Sequence, residues 1–436
     1  MITLKSKYKI KNNYKDIKLF ILLISLLIIK ILLIFFIGED DNALISESEN
    51  EWGKLFISLK NHGYMSWFST NEILFRNAFM PPLYVYFIYI ISFISEVHLV
   101  KITLIIQIFI SLLTSFIFFK LCIKKRFSNN QAITACIIFS YYPLHLYGAT
   151  QISSATIVLF IYTLFIYLIV ANKNIFFISL VASAGILARG EFKFIYIIFI
   201  FYYILKNKIS IKKAFLSFLL TIAIIFPQLL NNYIYFEKIF ITHSSGYVLW
   251  RGNNELSNVT SIEADKIIGN MEKSMLRTNT NNDELTLESP EQFKKIIKEL
   301  SLIKNDLRYD VLRDDVFKKY AIQNILDDPL RYINLCFKKF LSYVFFNINS
   351  EYPNYYHPFS IIPEIILSIG AIIGIFISTK KFRLYLSLYI FIFFIISIYS
   401  LLLILPRYKL FLLPCYTIFF SIFIFEAKNY LKKLFI

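Results

Sequence analysis

The sequence has 436 residues, of which 57% are hydrophobic, and its formal net charge is +17. A hydrophobic share this large, with 46 Phe and 30 Tyr, exceeds what the core of a soluble domain can bury and excludes an ordinary soluble protein. In a membrane protein the excess of Lys and Arg marks the cytoplasmic loops, so the positive charge does not indicate a nucleic-acid partner.

Apolar runs of about 15 to 22 residues recur along the chain, and lipid offers their backbone no hydrogen-bond partner, so they are predicted to be membrane helices. The first run follows a basic tail and is read as a retained anchor. Basic clusters at the tail up to residue 18 and at 120–126, 173, 206–213, 380–383 and 428–433 are placed inside. The segment 81–95 is predicted to be a juxtamembrane or half-inserted helix. About ten spans with both termini inside are predicted, at 19–37, 98–119, 131–146, 152–170, 175–188, 192–205, 214–230, 358–377, 384–405 and 408–425.

Two long polar segments, 38–80 and 231–356, are predicted to lie outside. Together they hold 24 of the 29 Asp and Glu residues. The segments 290–304, 313–326 and 329–346 have helical periodicity, and the last mixes Lys with Leu, Phe and Tyr as an interfacial helix does. The chemistry is therefore expected on the outer face of a multi-pass protein, in a bacterial inner membrane on its periplasmic side.

The first outer segment is rich in carboxylates. Six lie within thirteen residues: Glu39, Asp40, Asp41, Glu47, Glu49 and Glu51. Clustered acids raise each other's pKa and can bind a cation or act as a general base. Trp52, Phe56 and Leu59, followed by Gly63, predict a short amphipathic helix on the membrane surface that holds these acids at its edge.

Charged residues also stand at the outer ends of predicted spans: Lys101, Arg189, Glu191, Lys193, Arg407 and Lys409. Such positions cost a few kcal/mol at depth and usually have a partner or a task. Guanidinium groups match phosphate in a bidentate way, so this set predicts a phosphate-binding rim. The sequence has no Gly-rich phosphate loop, no His-Glu-x-x-His and no paired Cys motif.

The order of these features resembles the family-C (GT-C) membrane glycosyltransferases, in the branch of the protein O-mannosyltransferases and the aminoarabinose lipid A transferases. The likeness spans nearly the whole chain. It is carried by 48–52 through Gly63, Arg76, 80–84, Lys101, Pro143, 187–190, 232–233, 246–254, 407–408 and Pro414. It implies an all-α, polytopic helical bundle that transfers a sugar from a polyprenyl-phosphate donor to an extracytoplasmic glycan, lipid or protein acceptor.

The resemblance implies three parts for the chain: a membrane core at 1–231 whose first outer loop (38–80) is catalytic, an outer region at 232–356 with interfacial helices, and C-terminal membrane helices at 357–436. Family members use an Asp-Glu pair in the first outer loop, but here Ser48 stands where the Asp is expected. The implied catalytic acids are Glu49, Asp41, Asp40 and Glu51.

The implied donor-phosphate ligands are Arg189, Arg407, Lys101 and Tyr408, and the implied substrate-binding residues are Arg76, Asn253 and Asn254. No cofactor is assigned and no metal ligand is named, but a divalent cation is left open because relatives differ in metal use. Two alternatives remain: a polysaccharide polymerase or ligase, and a transporter or flippase of lipid-linked sugars, which would carry polar residues at mid-membrane.

Overall fold

The computed structural model describes residues 2–38, 51–66, 74–278, 289–304, 306–352 and 355–434, and within these ranges its regular structure is helical. The helices of the first half are α1 (Ile2–Ile37), α2 (Glu51–His62), α3 (Leu83–Ser92), α4 (Leu99–Lys124), α5 (Asn129–Ser140), α6 (Pro143–Gly148), α7 (Ala155–Val170), α8 (Ile175–Ala188), α9 (Phe192–Leu205) and α10 (Ile211–Phe236). Those of the second half are α11 (Ser245–Arg251), α12 (Ile262–Thr278), α13 (Glu291–Ser301), α14 (Tyr309–Asp327), α15 (Pro329–Val344), α16 (Pro358–Ser378), α17 (Phe382–Leu401) and α18 (Leu413–Leu434), with 3-10 turns at Thr379–Lys381 and Pro406–Phe411.

Four stretches within the described residues are long and apolar enough to cross a membrane: Ile17–Ile37, Leu99–Lys124, Ile211–Phe236 and Pro358–Leu401, which contains α16 and α17. A helix of about 20 residues spans the roughly 30 Å hydrocarbon layer. The apolar helices α3, α7, α8 and α9 have 10 to 16 residues, and none of them reaches that length by itself. The number of about ten spans depends on such shorter helices and stays a prediction.

Several predicted spans have other boundaries in the structure, and two of them are interrupted by a break or a separate turn. The run 131–146 is divided into α5 and α6 at Tyr141 and Tyr142, because Pro143 lacks an N–H group and disfavours a helical residue before it. The last span begins at Leu413 rather than at residue 408, since Pro406–Phe411 forms a separate 3-10 turn. That turn directs its side chains differently from a continuous helix, which matters for the candidate site below.

Close helix packing in the membrane part uses small residues. A Cβ atom on Gly374 of α16 would lie 1.8 Å from the Phe419 carbonyl oxygen of α18, and one on Gly370 would lie 2.2 Å from the Phe420 ring. The small-xxx-small spacing therefore lets the backbones of α16 and α18 approach closely, as in other membrane helix pairs.

The region 232–356, which is predicted to lie outside, has its own apolar cluster, which includes Trp250, Phe293 and Phe317 and joins helices α11 to α14. Phe75, from the segment 38–80, stacks on Tyr309 at 4.6 Å between ring centroids. The segments 38–80 and 231–356 thus pack against each other through these rings. The domain boundaries at 231 and 356 stay predictions.

Helix α15 is amphipathic. Leu335, Lys339 and Tyr343 are buried against the protein, whereas Leu330 and Phe337 are exposed. This alternation at helical spacing is typical of a helix that lies along a membrane surface. The expectation of an interfacial helix here stays a prediction.

Candidate functional site

A cavity of about 340 Å³ opens where the ends of several helices meet, a size typical of small-ligand sites. The helices that reach it place their other ends beside basic clusters: α7 ends and α8 begins near Lys173, and α17 begins after Lys381. The cavity therefore lies at the end of the bundle opposite those basic residues. Its charged lining residues within the described chain are Glu51, Arg189, Glu191, Lys193, Arg251 and Arg407.

Glu51 is the first residue of α2, and its side chain opens to the cavity. Leu55 and Phe56 of α2 are buried, and the ring of Trp52 packs edge-on against that of Tyr84 of α3, with 4.8 Å between the ring centroids. These apolar contacts fix the position of the first turn of α2. Glu51 keeps an exposed surface. Desolvation by the protein atoms around its carboxylate raises the pKa of Glu51 above its usual range, and the charge of Arg407 opposes the rise in part.

Arg189 follows α8 and lies beside aromatic rings. Its guanidinium carbon is 4.7 Å from the centroid of the Tyr408 ring and 5.0 Å from that of Phe411, distances at which a cation is attracted to a ring face. Its Nη1 is 3.6 Å from Oε1 of Glu191, and Tyr399 donates a hydrogen bond of 2.6 Å to the same oxygen. These contacts hold the Arg189 side chain at the cavity wall.

The 3-10 turn Pro406–Phe411 brings Arg407 and Tyr408 to the cavity. The carbonyl oxygen of Tyr408 accepts a 2.8 Å hydrogen bond from the Tyr343 hydroxyl. On the same turn, Lys409 is buried and pairs with Glu364 of α16. Lys409 is therefore directed away from the cavity, and the expected phosphate-binding rim does not include it.

Arg251 has no distinguishing signal in the sequence, although it lies in the 246–254 segment that carries part of the resemblance. It ends α11, lines the cavity, and its Nη2 is 2.9 Å from Oδ2 of Asp265 on α12. Tyr247, one turn earlier on the same helix, donates a hydrogen bond to the other oxygen of Asp265. Lys193 also reaches the cavity from the first turn of α9.

Of the site residues that the resemblance implies, Glu51, Arg189, Arg407 and Tyr408 line this cavity, and so do Glu191 and Lys193 of the predicted phosphate-binding rim. The catalytic candidates Asp40, Asp41 and Glu49 lie outside the described residues.

Four other candidates do not line the cavity. Lys101 is exposed in the first turn of α4. Arg76 lies against the rings of Tyr64 and Tyr235, at 4.3 and 3.3 Å from their centroids.

Asn253 and Asn254 are buried, and their amides donate to the carbonyl oxygens of Leu249 and Trp250 at 2.8 and 3.2 Å. Side chains bonded to the end of α11 in this way terminate that helix.

Among the described residues, no group of three or more His, Cys, Asp or Glu side chains is arranged to hold a metal ion. Since several first-loop acids lie outside those residues, a divalent cation stays an open expectation.

The fold is similar to that of the oligosaccharyltransferase of the archaeon Archaeoglobus fulgidus, a GT-C glycosyltransferase crystallised in its apo form. The match has a TM-score of 0.52 at 12% sequence identity and covers 95% of this chain and 51% of that protein. The chain thus spans about half the length of this structural neighbour. No protein-family model and no curated protein matches the sequence. The neighbour supports the implied GT-C-like helical fold, and the narrower branch stays a prediction.

Proposed function

We propose that this protein is a membrane glycosyltransferase that moves a sugar from a polyprenyl-phosphate-linked donor to an acceptor hydroxyl on the outer side of the membrane. The observation that carries the proposal is the cavity, where the carboxylate of Glu51 and the guanidinium groups of Arg189, Arg251 and Arg407 converge. A fold shared with an oligosaccharyltransferase supports the same reaction class.

The arginines suit a phosphate leaving group. As the bond between the sugar carbon and the phosphate oxygen breaks, negative charge develops on the departing phosphate, and fixed guanidinium groups stabilise it. Arg189 and Arg251 are already held by Glu191 and Asp265, so little reorganisation is needed when the phosphate binds. Lys193 adds a further positive charge at the cavity.

Glu51 suits the base. The acceptor oxygen bonds to the anomeric carbon while its proton passes to the Glu51 carboxylate, and the electron pair of the broken bond stays on the lipid phosphate. A pKa raised by desolvation brings this carboxylate closer to neutral pH, where a general base is most effective. Asp40, Asp41 and Glu49 remain alternative bases, because they precede Glu51 in the same loop.

The proposed donor fits the surroundings of the cavity. Apolar side chains of α9 and α17, among them Phe194 and Ile398, line it beside the charged groups together with Leu402, which follows α17. Phe194 is exposed on the outer surface of α9. A polyprenyl chain in the membrane can lie against such a face while its phosphate reaches the arginines. The position of the cavity opposite the basic helix ends supports an active site on the periplasmic face of a bacterial inner membrane.

A transporter is less well supported. Lys30, the clear mid-span charge in the sequence, is fully buried, and its amine donates a 2.7 Å hydrogen bond to the carbonyl oxygen of His145. It does not line the cavity, so it offers no ionisable group to a substrate path.

The direct test is transfer by the purified protein in lipid vesicles, supplied with a panel of undecaprenyl-phosphate sugars, with released undecaprenyl phosphate measured by mass spectrometry. Glu51→Gln is expected to lower turnover by about 100- to 10,000-fold, the usual contribution of a general base. Glu255→Gln, at an exposed carboxylate, is the matched control. Full turnover by the Glu51→Gln protein would exclude Glu51 as the base.

A further inference from the structure

Helix α14 lines none of the cavity but contacts segments that do. Asp310 and Asp314 are four residues apart, so they share one face of α14, and both are 1% exposed. Neither residue was noted as functional in the sequence. The Asp310 carboxylate accepts hydrogen bonds from the N–H groups of Ala78 and Phe79, and the Asp314 carboxylate faces α11. Phe79 and α11 line the cavity.

Asp314 binds the start of α11. Its Oδ2 accepts a hydrogen bond of 3.0 Å from the Gly246 N–H, and its Oδ1 accepts one of 2.7 Å from the Tyr247 N–H. The first N–H groups of a helix have no partner within that helix, and a carboxylate there is further favoured by the helix dipole. His243, just before α11, has its Nε2 3.6 Å from Oδ2 of Asp314.

Both ends of α11 also meet neighbouring backbone at very short range. A Cβ atom on Gly246 would lie 2.1 Å from the carbonyl oxygen of Asp314, and one on Gly252 would lie 2.0 Å from the carbonyl oxygen of Leu402. Only glycine permits such contacts. The seven-residue helix is therefore held between α14 and the end of α17.

We propose that Asp314 is a positioning residue: by binding the first N–H groups of α11, it fixes the place of Arg251 in the cavity. Tyr247, Val248 and Arg251 line the cavity from this one short helix, so a shift of its start displaces all three. The inference rests on the proposed function only for the task of Arg251 in binding the donor phosphate.

The position of Arg251 can be measured without a substrate. The probe is a cysteine at Val248, one turn before Arg251, in a Cys336→Ser background, since Cys122, Cys136 and Cys415 are buried. Its rates of modification by an anionic reagent (sulfonatoethyl methanethiosulfonate) and a cationic one (trimethylammonioethyl methanethiosulfonate) are compared. A nearby positive charge raises the ratio of the anionic to the cationic rate, and Arg251→Ala should lower that ratio about fivefold.

Asp314→Asn and Asp314→Glu are expected to lower the same ratio toward the Arg251→Ala value. Loss of the Asp314 charge alone would raise the ratio, because it removes a negative charge. A general loosening of the fold around residue 248 would change the anionic and cationic modification rates alike. Asp314→Glu keeps the charge and displaces α11 by the length of one methylene, so it tests position separately. In the Arg251→Ala background neither variant should lower the ratio further.

Asp327→Asn makes the same change at an exposed position at the far end of α14 and should leave the ratio unchanged. A ratio that stays the same or rises in both Asp314 variants would overturn the inference. Binding of undecaprenyl phosphate to the unsubstituted protein is measured in parallel. If it does not bind but the ratio falls, the proposed function fails and the positioning role stands; if it binds and the ratio does not fall, only the positioning role fails.

Discussion

Replacing Gly246 by Ala should disturb the site through geometry alone, since it changes no charge and removes no hydrogen-bonding group. The added Cβ atom would lie 2.1 Å from the carbonyl oxygen of Asp314, 2.8 Å from Cβ of Lys318 and 2.9 Å from the Lys318 nitrogen. Two of these neighbours belong to the backbone of α14, so they cannot turn aside as a flexible side chain can. Helix α11 must therefore move away from α14.

The size of that movement follows from the contact distance. Separating the Cβ atom and the carbonyl oxygen to about 3 Å requires a shift of about 1 Å, which stretches the hydrogen bonds from Gly246 and Tyr247 to Asp314, now 3.0 and 2.7 Å, past the usual range of about 3.2 Å. A misplacement of about 1 Å in a catalytic site can lower the rate about 100-fold. Overpacking should also cost about 1–3 kcal/mol of stability.

The assay is sugar transfer in vesicles, with thermal unfolding of the same preparations. Gly269→Ala is the matched control, because a Cβ atom there meets nothing within 4 Å and Ala is favoured over Gly inside a helix such as α12. We expect about 100-fold lower turnover for Gly246→Ala and unchanged turnover for the control. Turnover of Gly246→Ala within threefold of the unsubstituted protein would refute the reasoning that ties α11 to the site.

Three further predictions concern other charged groups. Arg407→Met should raise the KM for the lipid donor about 10- to 100-fold, the loss of one charge-assisted contact to phosphate; an unchanged KM would remove Arg407 from the donor site. The Nε atom of Arg313 lies 2.6 Å from Oε1 of the buried Glu272 carboxylate. Arg313→Met leaves that carboxylate without its cation and should lower the free energy of unfolding by about 3–5 kcal/mol. A loss of only about 1 kcal/mol, as expected for exposed pairs, would contradict this. Burial raises the pKa of the Asp310 carboxyl group to about 6, so the folded state binds the carboxyl proton more tightly than the unfolded chain does. The stabilisation of the folded state by this proton is fully present below about pH 4 and is lost as the pH rises through 6. Asp310→Asn should remove that part of the pH dependence in thermal unfolding, and an identical pH profile would show that Asp310 does not produce it.

The sequence indicated the helical membrane class because long apolar runs can satisfy their backbone only as helices. It also indicated Arg189 and Arg407, since a charge at the end of an apolar run stands out against its neighbours, and Glu51, because it belongs to a cluster of six carboxylates. The break between α5 and α6 could have been read from Pro143, but hydropathy alone joined the two helices into one predicted span.

The rest of the site depends on tertiary contacts. Lys409 has the same sequence signal as Arg407, yet the 3-10 turn directs it to Glu364 inside the protein. Arg251 looks like an ordinary residue of a polar segment until α11 is placed between α14 and Leu402. The resemblance implies Asn253 as a substrate ligand, and in the structure its amide donates to the backbone of α11.

The most direct test of the account compares the lipids and surface glycans of cells with and without this gene by mass spectrometry. We predict that loss of the gene makes a polyprenyl-phosphate sugar accumulate while one sugar disappears from a glycan, lipid or protein, and that a Glu51→Gln copy does not restore it. If neither pool changes, the protein does not transfer a sugar from such a donor, and the central claim is wrong.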